Sequence, residues 1–360
     1  MYLCEFGKGL GDPSSIESDG AKEQTVAVQS APNGPALWQN PPHPRTGDTL
    51  QAMTPTEQSN LVQPEMLATR IHDPEVRVFD CRFSLTDTDY GRRVYQEGHL
   101  PGAHYAHLDA HLSSAIGPLT GRHPLPDPEA LAGWLGRCGV TGSTQVVAYD
   151  DAGGLYAVRL WWLLRWLGHT RVSLLDGGFH AWVAAGGERS TLVPEEVDGV
   201  FPAGRDDAAW LTTQELIGEL DAGRILLLDA RAPERFRGEV EPLDSVAGHI
   251  PGAVNLPLTG NLDAAGRFLS PEALRERFLD VLGDCPPQRV VHQCGSGVTA
   301  CHNLLAMEVA GLSGSRLYAG SWSEWIRSPE RAVATGAAAR QESGAKLGYP
   351  GCKGTQTCHI

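Results

Sequence analysis

The sequence is short of positive charge. Across 360 residues, 29 Lys and Arg face 43 Asp and Glu, a formal balance of −14, which argues against a broad basic surface and so against a nucleic-acid partner. A long apolar run is missing too. The most apolar stretch, Leu155 to Leu167, is broken by Arg159 and Arg165 and falls short of the about 20 residues that a bilayer crossing takes. A buried helix and no membrane partner are expected there. Met1 to Gly11 carries Glu5 and Lys8 but no basic cluster ahead of an apolar run, so no secretory signal is read and the expected compartment is cytoplasmic. The eight cysteines (Cys4, Cys81, Cys138, Cys285, Cys294, Cys301, Cys352 and Cys358) include no CxxC pair. They are poor material for a disulfide framework or a zinc ribbon, and most are expected as reduced thiols.

What remains is a globular composition, 41% hydrophobic and 20% charged, at a length suited to about two domains. Residues 1–58 are rich in Gly, Pro, Ser, Asn and Gln and hold too few apolar side chains to offset the entropy of ordering. They read as a flexible extension, and residues 336–360 as a flexible tail.

Between these ends the sequence says nearly the same thing twice. Val76-Arg77-Val78-Phe79-Asp80-Cys81-Arg82 returns as Ile225-Leu226-Leu227-Leu228-Asp229-Ala230-Arg231, and Gly98-His99-Leu100-Pro101-Gly102-Ala103 as Gly248-His249-Ile250-Pro251-Gly252-Ala253. The histidine keeps its place, 19 residues beyond Asp80 and 20 beyond Asp229. Gln145 to Asp150 then lines up with Gln288 to Cys294, and Leu175-Asp176-Gly177-Gly178 with Leu317-Tyr318-Ala319-Gly320. Short apolar strands alternating with helical patterns predict parallel strands covered by helices on both faces. The expected fold is therefore α/β, with one domain over residues 59–193, a linker over 194–210 and a second domain over 211–335.

The copies part at one strand end. The second has Cys294-Gly295-Ser296-Gly297-Val298-Thr299 where the first has Asp150-Asp151-Ala152-Gly153-Gly154. A side chain at the carboxyl end of a parallel strand points into the crevice where open α/β sheets bind ligands. Gly295 and Gly297 permit a tight turn whose N–H groups converge, and a helix predicted from about Val298 to Ala310 starts there; nest and helix terminus together favour an anion. Cys294 is thus predicted as a nucleophilic thiolate, provided that solvent reaches it. Cys301, two turns further on, reads as core. A metal cluster of His292, Cys294, Cys301 and His302 lacks the paired ligand knuckles of zinc sites. Phosphatase chemistry is disfavoured because Ala300, six residues after Cys294, stands where those enzymes carry a phosphate-binding arginine.

At these residues the chain resembles the tandem-domain rhodanese-like sulfurtransferases, which act on thiosulfate and 3-mercaptopyruvate. The resemblance covers about residues 60 to 335 and rests on Cys294 to Cys301, Arg231, Arg235-Phe236-Arg237-Gly238, Gly248 to Ala253 and Gly320-Ser321-Trp322-Ser323-Glu324-Trp325. It implies two domains, each a mainly parallel sheet flanked by helices, the first a silent copy that shapes the cleft. It further implies a ping-pong transfer without metal or organic cofactor, in which Cys294 takes sulfur from a small anionic donor and passes it to a thiol or cyanide, or to a thioredoxin-like protein. Catalytic roles fall on Cys294 and Ser296, with His99 and Asp89 as a partner pair from the first domain, although His249 at the same repeat position suggests a turn function for His99. Donor binding falls on Arg235 and on Gly295, Gly297, Val298 and Thr299. The neutral loop points toward mercaptopyruvate, with thiosulfate as runner-up. A second donor arginine is expected downstream of Arg237-Gly238, but the chain reads Glu239-Val240-Glu241-Pro242-Leu243-Asp244, leaving Arg237 as the open candidate. A persulfide carrier without turnover is the alternative reading, and the helix bearing Trp161, Trp162 and Trp166 serves either its own core or the domain interface.

Overall fold

Parallel strands are covered on both faces and so must be apolar throughout; the runs Val76–Asp80, Gln145–Tyr149, Leu226–Asp229 and Val290–Gln293 are mostly or wholly buried. A computed structural model describes residues 59–337. The expected extension, residues 1–58, and the tail from residue 338 lie outside the described residues, as do Cys4, Cys352 and Cys358.

In the first copy, β1 (Leu61–Val62), β2 (Val76–Asp80), β3 (His104–Tyr105), β4 (Gln145–Tyr149) and β5 (Val172–Leu175) form a sheet in the order β1-β5-β4-β2-β3. Helices α1 (Pro64–Ala68), α2 (Tyr90–Glu97), α3 (Pro128–Arg137), α4 (Ala157–Trp166) and α5 (Gly178–Ala184) cover it. In the second copy, β6 (Trp210–Leu211), β7 (Leu226–Asp229), β8 (Val254–Asn255), β9 (Val290–Gln293) and β10 (Arg316–Tyr318) repeat that order as β6-β10-β9-β7-β8. They carry α6 (Thr213–Asp221), α7 (Pro233–Arg237), α8 (Pro271–Leu282), α9 (Ala300–Val309) and α10 (Ser321–Trp325). Every strand pairing is parallel.

The repeated acid-arginine signature has a structural job. Arg82 grips Asp80 and the carbonyl of Gly98, and Arg231 grips Asp229 and the carbonyl of Gly248 at 2.8 Å. Each buried pair ties a central strand end to the glycine-histidine turn. Helix starts are written locally: proline occupies the first turn of α1, α3, α7 and α8, where its missing N–H costs nothing, and Thr212 with Glu215 closes a capping box on α6.

The linker is less loose than its composition suggests. Val197, Gly204 and Asp206 donate backbone N–H groups to the carbonyls of Arg137, Leu167 and Trp166, and Phe201 is buried in the first-domain core. Helix α4 is buried on every side, as a helix between two layers must be. It packs on α9 of the other copy, and a single apolar cluster runs from Phe79 and Leu135 through Trp161, Trp162 and Trp166 to Val298, Cys301 and Leu305. The tryptophans therefore serve their own core and the domain interface at once.

Candidate active site

Cys294 follows β9 directly. The turn after it is held from outside: Trp322 and Ser323, at the start of α10, donate N–H groups to the carbonyls of Cys294 (3.0 Å) and Gly295 (2.8 Å). Ser321, the one non-glycine residue with positive φ among the described residues (52°), accepts from Cys294 N–H at 3.1 Å and donates to Tyr318 O. Such a backbone state persists only where its surroundings over-determine it. With the carbonyls drawn outward, the N–H of Gly297 turns inward and donates to Cys294 Sγ at 3.2 Å. Gly297 has φ 77°, and a methyl group on it would lie 2.2 Å from Ala319 O, so only glycine fits.

The first domain reaches into this turn. Arg159 of α4 is fully buried and has no carboxylate partner among the described residues; its guanidinium donates to the carbonyls of Gly297 (3.0 Å), His123 (3.2 Å) and Leu112 (3.3 Å). The segment before α3 then lies across the loop. A methyl group on Gly121 would come within 2.7 Å of Gly320 O, and Arg122 N–H donates to Ser323 Oγ at 3.0 Å. Next in the chain, His123 places Nδ1 2.7 Å from Ser296 Oγ, and its Nε2 lies 3.3 Å from Asp109 Oδ1. Burial holds the His123 imidazole below its ordinary pKa, with Asp109 opposing; the hydrogen bond to His123 lowers the Asp109 carboxyl. At neutral pH this is a neutral imidazole between a hydroxyl and a carboxylate, with Nε2–H assigned toward Asp109 and Nδ1 free to accept from Ser296.

Two further arginines stand over Gly295. A methyl group there would lie 2.9 Å from Arg122 Nη2 and 3.6 Å from Arg235 Nη1. Arg235, in the last turn of α7, donates from Nη2 to Glu241 at 2.7 Å and to Asp244 at 3.3 Å, while Arg122 pairs with Asp244 through Nη1. One requirement drawn from the sequence is corrected here. Cys294 is only 1% exposed, so the thiol is covered where an open one was expected. Cys294 belongs to the apolar cluster that also holds Val298 and Cys301, and the nearest polar cover is over the next residue, where Arg122 and Arg235 stand above Gly295 on flexible stems that can swing aside. Glu241 and Asp244 balance the two arginines.

The expected partner pair is not brought to the loop. Both ring nitrogens of His99 meet backbone carbonyls, Tyr95 O at 2.7 Å and Leu192 O at 3.1 Å, and the ring stacks on Tyr95. His249 does the same with Phe236, so both histidines secure turns. Asp89 is exposed ahead of α2. Arg237 is held bidentately by exposed Glu239 at 2.7 Å, away from Gly295. Val298 is buried, and Thr299 precedes the first turn of α9. Burial pushes the Cys301 thiol up to about 12. His292 contacts Met307 and His302 contacts Gly153 O, and among the described residues no group of three His, Cys, Asp or Glu could hold a metal ion. The signal for His123 was available in the repeat: Gly121-Arg122-His123 answers Gly266-Arg267-Phe268, a second place where the copies differ by one reactive side chain.

Comparison with known proteins gives the family. The model of the rhodanese-like domain matches twice, at residues 63–185 and 212–328. A probable 3-mercaptopyruvate sulfurtransferase of Pseudomonas aeruginosa is 52% identical over 77% of this chain and 99% of its own. The human 3-mercaptopyruvate sulfurtransferase is 39% identical over 68% of this chain and 83% of its own, and the rat thiosulfate sulfurtransferase 35% over 73% and 90%. The structure of 3-mercaptopyruvate sulfurtransferase from Leishmania major superposes with a TM-score of 0.65 at 34% identity, covering 74% of this chain and 73% of that one. With a family match in both copies and one cysteine loop between them, the chain belongs to the rhodanese-like family as a tandem-domain sulfurtransferase.

Proposed function

We propose that the sulfur donor is 3-mercaptopyruvate and that Cys294 carries the sulfur as a persulfide. The thiolate attacks the donor sulfur, the C–S bond breaks, and its electron pair leaves as pyruvate enolate. The proton lost from the donor thiol returns to the enolate carbon, so one proton moves from sulfur to carbon and the products are pyruvate and the Cys294 persulfide. A thiolate or cyanide then takes the outer sulfur and frees Cys294. Arg235 is assigned to the donor carboxylate, and a small thiol or a thioredoxin-like protein of the cytoplasm to the acceptor side.

The contact that carries this choice is Ser296 Oγ on His123 Nδ1 at 2.7 Å, backed by Asp109. Mercaptopyruvate needs a proton removed and returned, which a hydroxyl-imidazole-carboxylate relay supplies. Thiosulfate transfers its sulfur with sulfite as leaving group and needs no proton, so for it the relay would be idle. The charge balance of Arg122 and Arg235 with Asp244 and Glu241 also suits a monoanion better than a dianion.

Ser296→Ala tests the reading. Turnover with mercaptopyruvate should fall roughly 100-fold, while thiosulfate turnover stays within about fivefold. Equal losses on both donors, or full turnover by Cys294→Ser, would overturn the proposal. A persulfide mass shift on Cys294 with negligible multiple turnover would instead favour a sulfur carrier.

A further inference from the structure

Where the family resemblance leads one to expect a second donor arginine in the second domain, this chain has the arginine-free run Glu239 to Asp244, and the structure gives the Asp244 carboxylate a guanidinium from the other domain. We propose that Arg122 is the second donor-binding arginine and forms with Arg235 a carboxylate clamp built across the domain interface. The proposal deepens the mercaptopyruvate reading and rests on it.

The geometry carries the argument. Asp244 is 4% exposed and engages both guanidiniums, Arg122 through Nη1 and Arg235 through Nη2. Glu241, also 4% exposed, takes Nε and Nη2 of Arg235. The two acids thus hold the rear edge of the Arg235 fork through Nε and Nη2 and anchor Arg122 through Nη1. Arg122 Nη2 and Arg235 Nη1 donate to no group among the described residues, and these are atoms that face Gly295, at 2.9 and 3.6 Å from a methyl group placed there. Two pre-oriented N–H donors from opposite sides of the interface converge next to Cys294, the arrangement that reads a planar carboxylate with least loss of side-chain entropy. The arginine side chains keep 22% and 18% exposure, so a small anion arriving from solvent meets them first. Both arginines are already countered by acids, so the clamp offers directed hydrogen bonds rather than net charge. That selects for the shape of an α-keto carboxylate over the charge of a dianion. Asp244 is then a positioning residue: it recruits an arginine from across the interface.

The experiment uses the full chain and two readouts. Steady-state kinetics with mercaptopyruvate and cyanide should show KM raised tenfold or more by Arg122→Gln, with kcat within about threefold, as expected when binding shared by ground and transition states is lost. Arg122→Lys, which keeps the charge and loses the fork, should also raise KM, and Asp244→Asn should raise it by a smaller factor. Arg224→Gln, on an exposed residue paired with Glu219, should change nothing. Calorimetric titration with pyruvate as the probe should show at least tenfold weaker binding by Arg122→Gln and Arg122→Lys, whether or not the enzyme turns over. If KM and pyruvate affinity stay within twofold in folded Arg122 variants while Arg235→Gln shifts both, the clamp is wrong and the donor reading stands. If the unmutated chain turns over no mercaptopyruvate yet loses pyruvate affinity with Arg122→Gln, the donor reading falls and the clamp survives.

Discussion

The molecule contains the same cradle twice, filled differently. In the first copy Asp150 sits at the end of β4, and its carboxylate accepts four backbone N–H groups, from Ala152 and Gly154 on one oxygen and from Tyr156 and Ala157 on the other, all at 2.8 to 2.9 Å. In the second copy Cys294 occupies that place and accepts from Gly297 N–H. The first copy shows how much the turn can hold, a fully buried carboxyl whose pKa burial raises while four amides oppose that rise, and the second copy turns the Gly297 amide to a sulfur that gains and loses charge. The roofs are exchanged as well. Gly121-Arg122-His123 lies over the cysteine turn, whereas Gly266-Arg267-Phe268 lies by the aspartate turn, with Phe268 N–H on Asp176 and its ring stacked on His302. Each crossing helix also reaches the other copy's loop. Arg159 donates to Gly297 O, and His302, whose pKa burial lowers to about 4, donates to Gly153 O. The buried cation, the imidazole that meets a hydroxyl and the nucleophile have collected on one side of a nearly symmetric pair, and the imidazole on the other side is spent on a carbonyl.

Exchanging the fillings gives the largest expected effect. Cys294→Asp should abolish turnover, a drop on the order of 10³-fold or more, yet leave the chain folded, because the same kind of turn already holds a carboxylate. The converse chain, Asp150→Cys with Cys294→Ser, should show no persulfide at residue 150 by mass spectrometry, since Phe268 stands over that cradle and the imidazole beside it, His302, is already spent on Asn261 and Gly153 O. A persulfide there would mean that the cradle alone makes the thiol reactive and that the roof is dispensable.

This comparison also marks how far the sequence could be read. Parallel β4 and β9 were legible from their continuous apolar runs, and Cys294 from its place after one of them, because strand burial and a glycine turn are local matters. The histidine was legible only as a departure between the copies, His123 against Phe268, and not by its role. His99 carries the repeated signature and is spent on a turn, while the imidazole that meets Ser296 lies in a segment with no helical or strand period, 173 residues away in sequence. Nothing local separates a histidine that holds carbonyls from one that faces a hydroxyl; only the docking of one copy on the other does. The approach of Arg122 and Arg235 over Gly295, and the acids behind them, were hidden for the same reason.

Making the roofs alike gives the next effect. His123→Phe copies Phe268 onto the reactive side and removes the relay while keeping an aromatic ring in a nearly buried place. Turnover with mercaptopyruvate should fall about 10² to 10³-fold, with a change in melting temperature of only a few degrees. In the unmutated chain the lowered pKa of His123 keeps the imidazole neutral below the usual histidine range, so the acid limb of kcat/KM should lie lower than for a free imidazole. In His123→Phe that limb should no longer report a histidine. A variant with the original acid limb would show that the limb belongs to another group.

The smallest difference lies one strand pair deeper. His292 on β9 stands where β4 has Ala148; it is fully buried, and its pKa is lowered by burial to about 3. An imidazole whose folded pKa is depressed takes up no proton in the native state when the unfolded chain does. Its contribution is therefore undiminished above the unfolded value of about 6.5 and is lost as pH falls from there toward the folded one. At pH 5 the native ring is still neutral, and the penalty set by the unfolded chain is about 2 kcal/mol relative to pH 7.5. His292→Phe removes the proton uptake. Its ring Nδ1 has no hydrogen-bond partner among the described residues, so the substitution strands no polar group. Urea unfolding at pH 7.5 and pH 5 should show the variant losing about 2 kcal/mol less stability than the unmutated chain. Parallel losses would mean that the strand end admits the charged ring, and that the two copies differ less in their interiors than in their cradles.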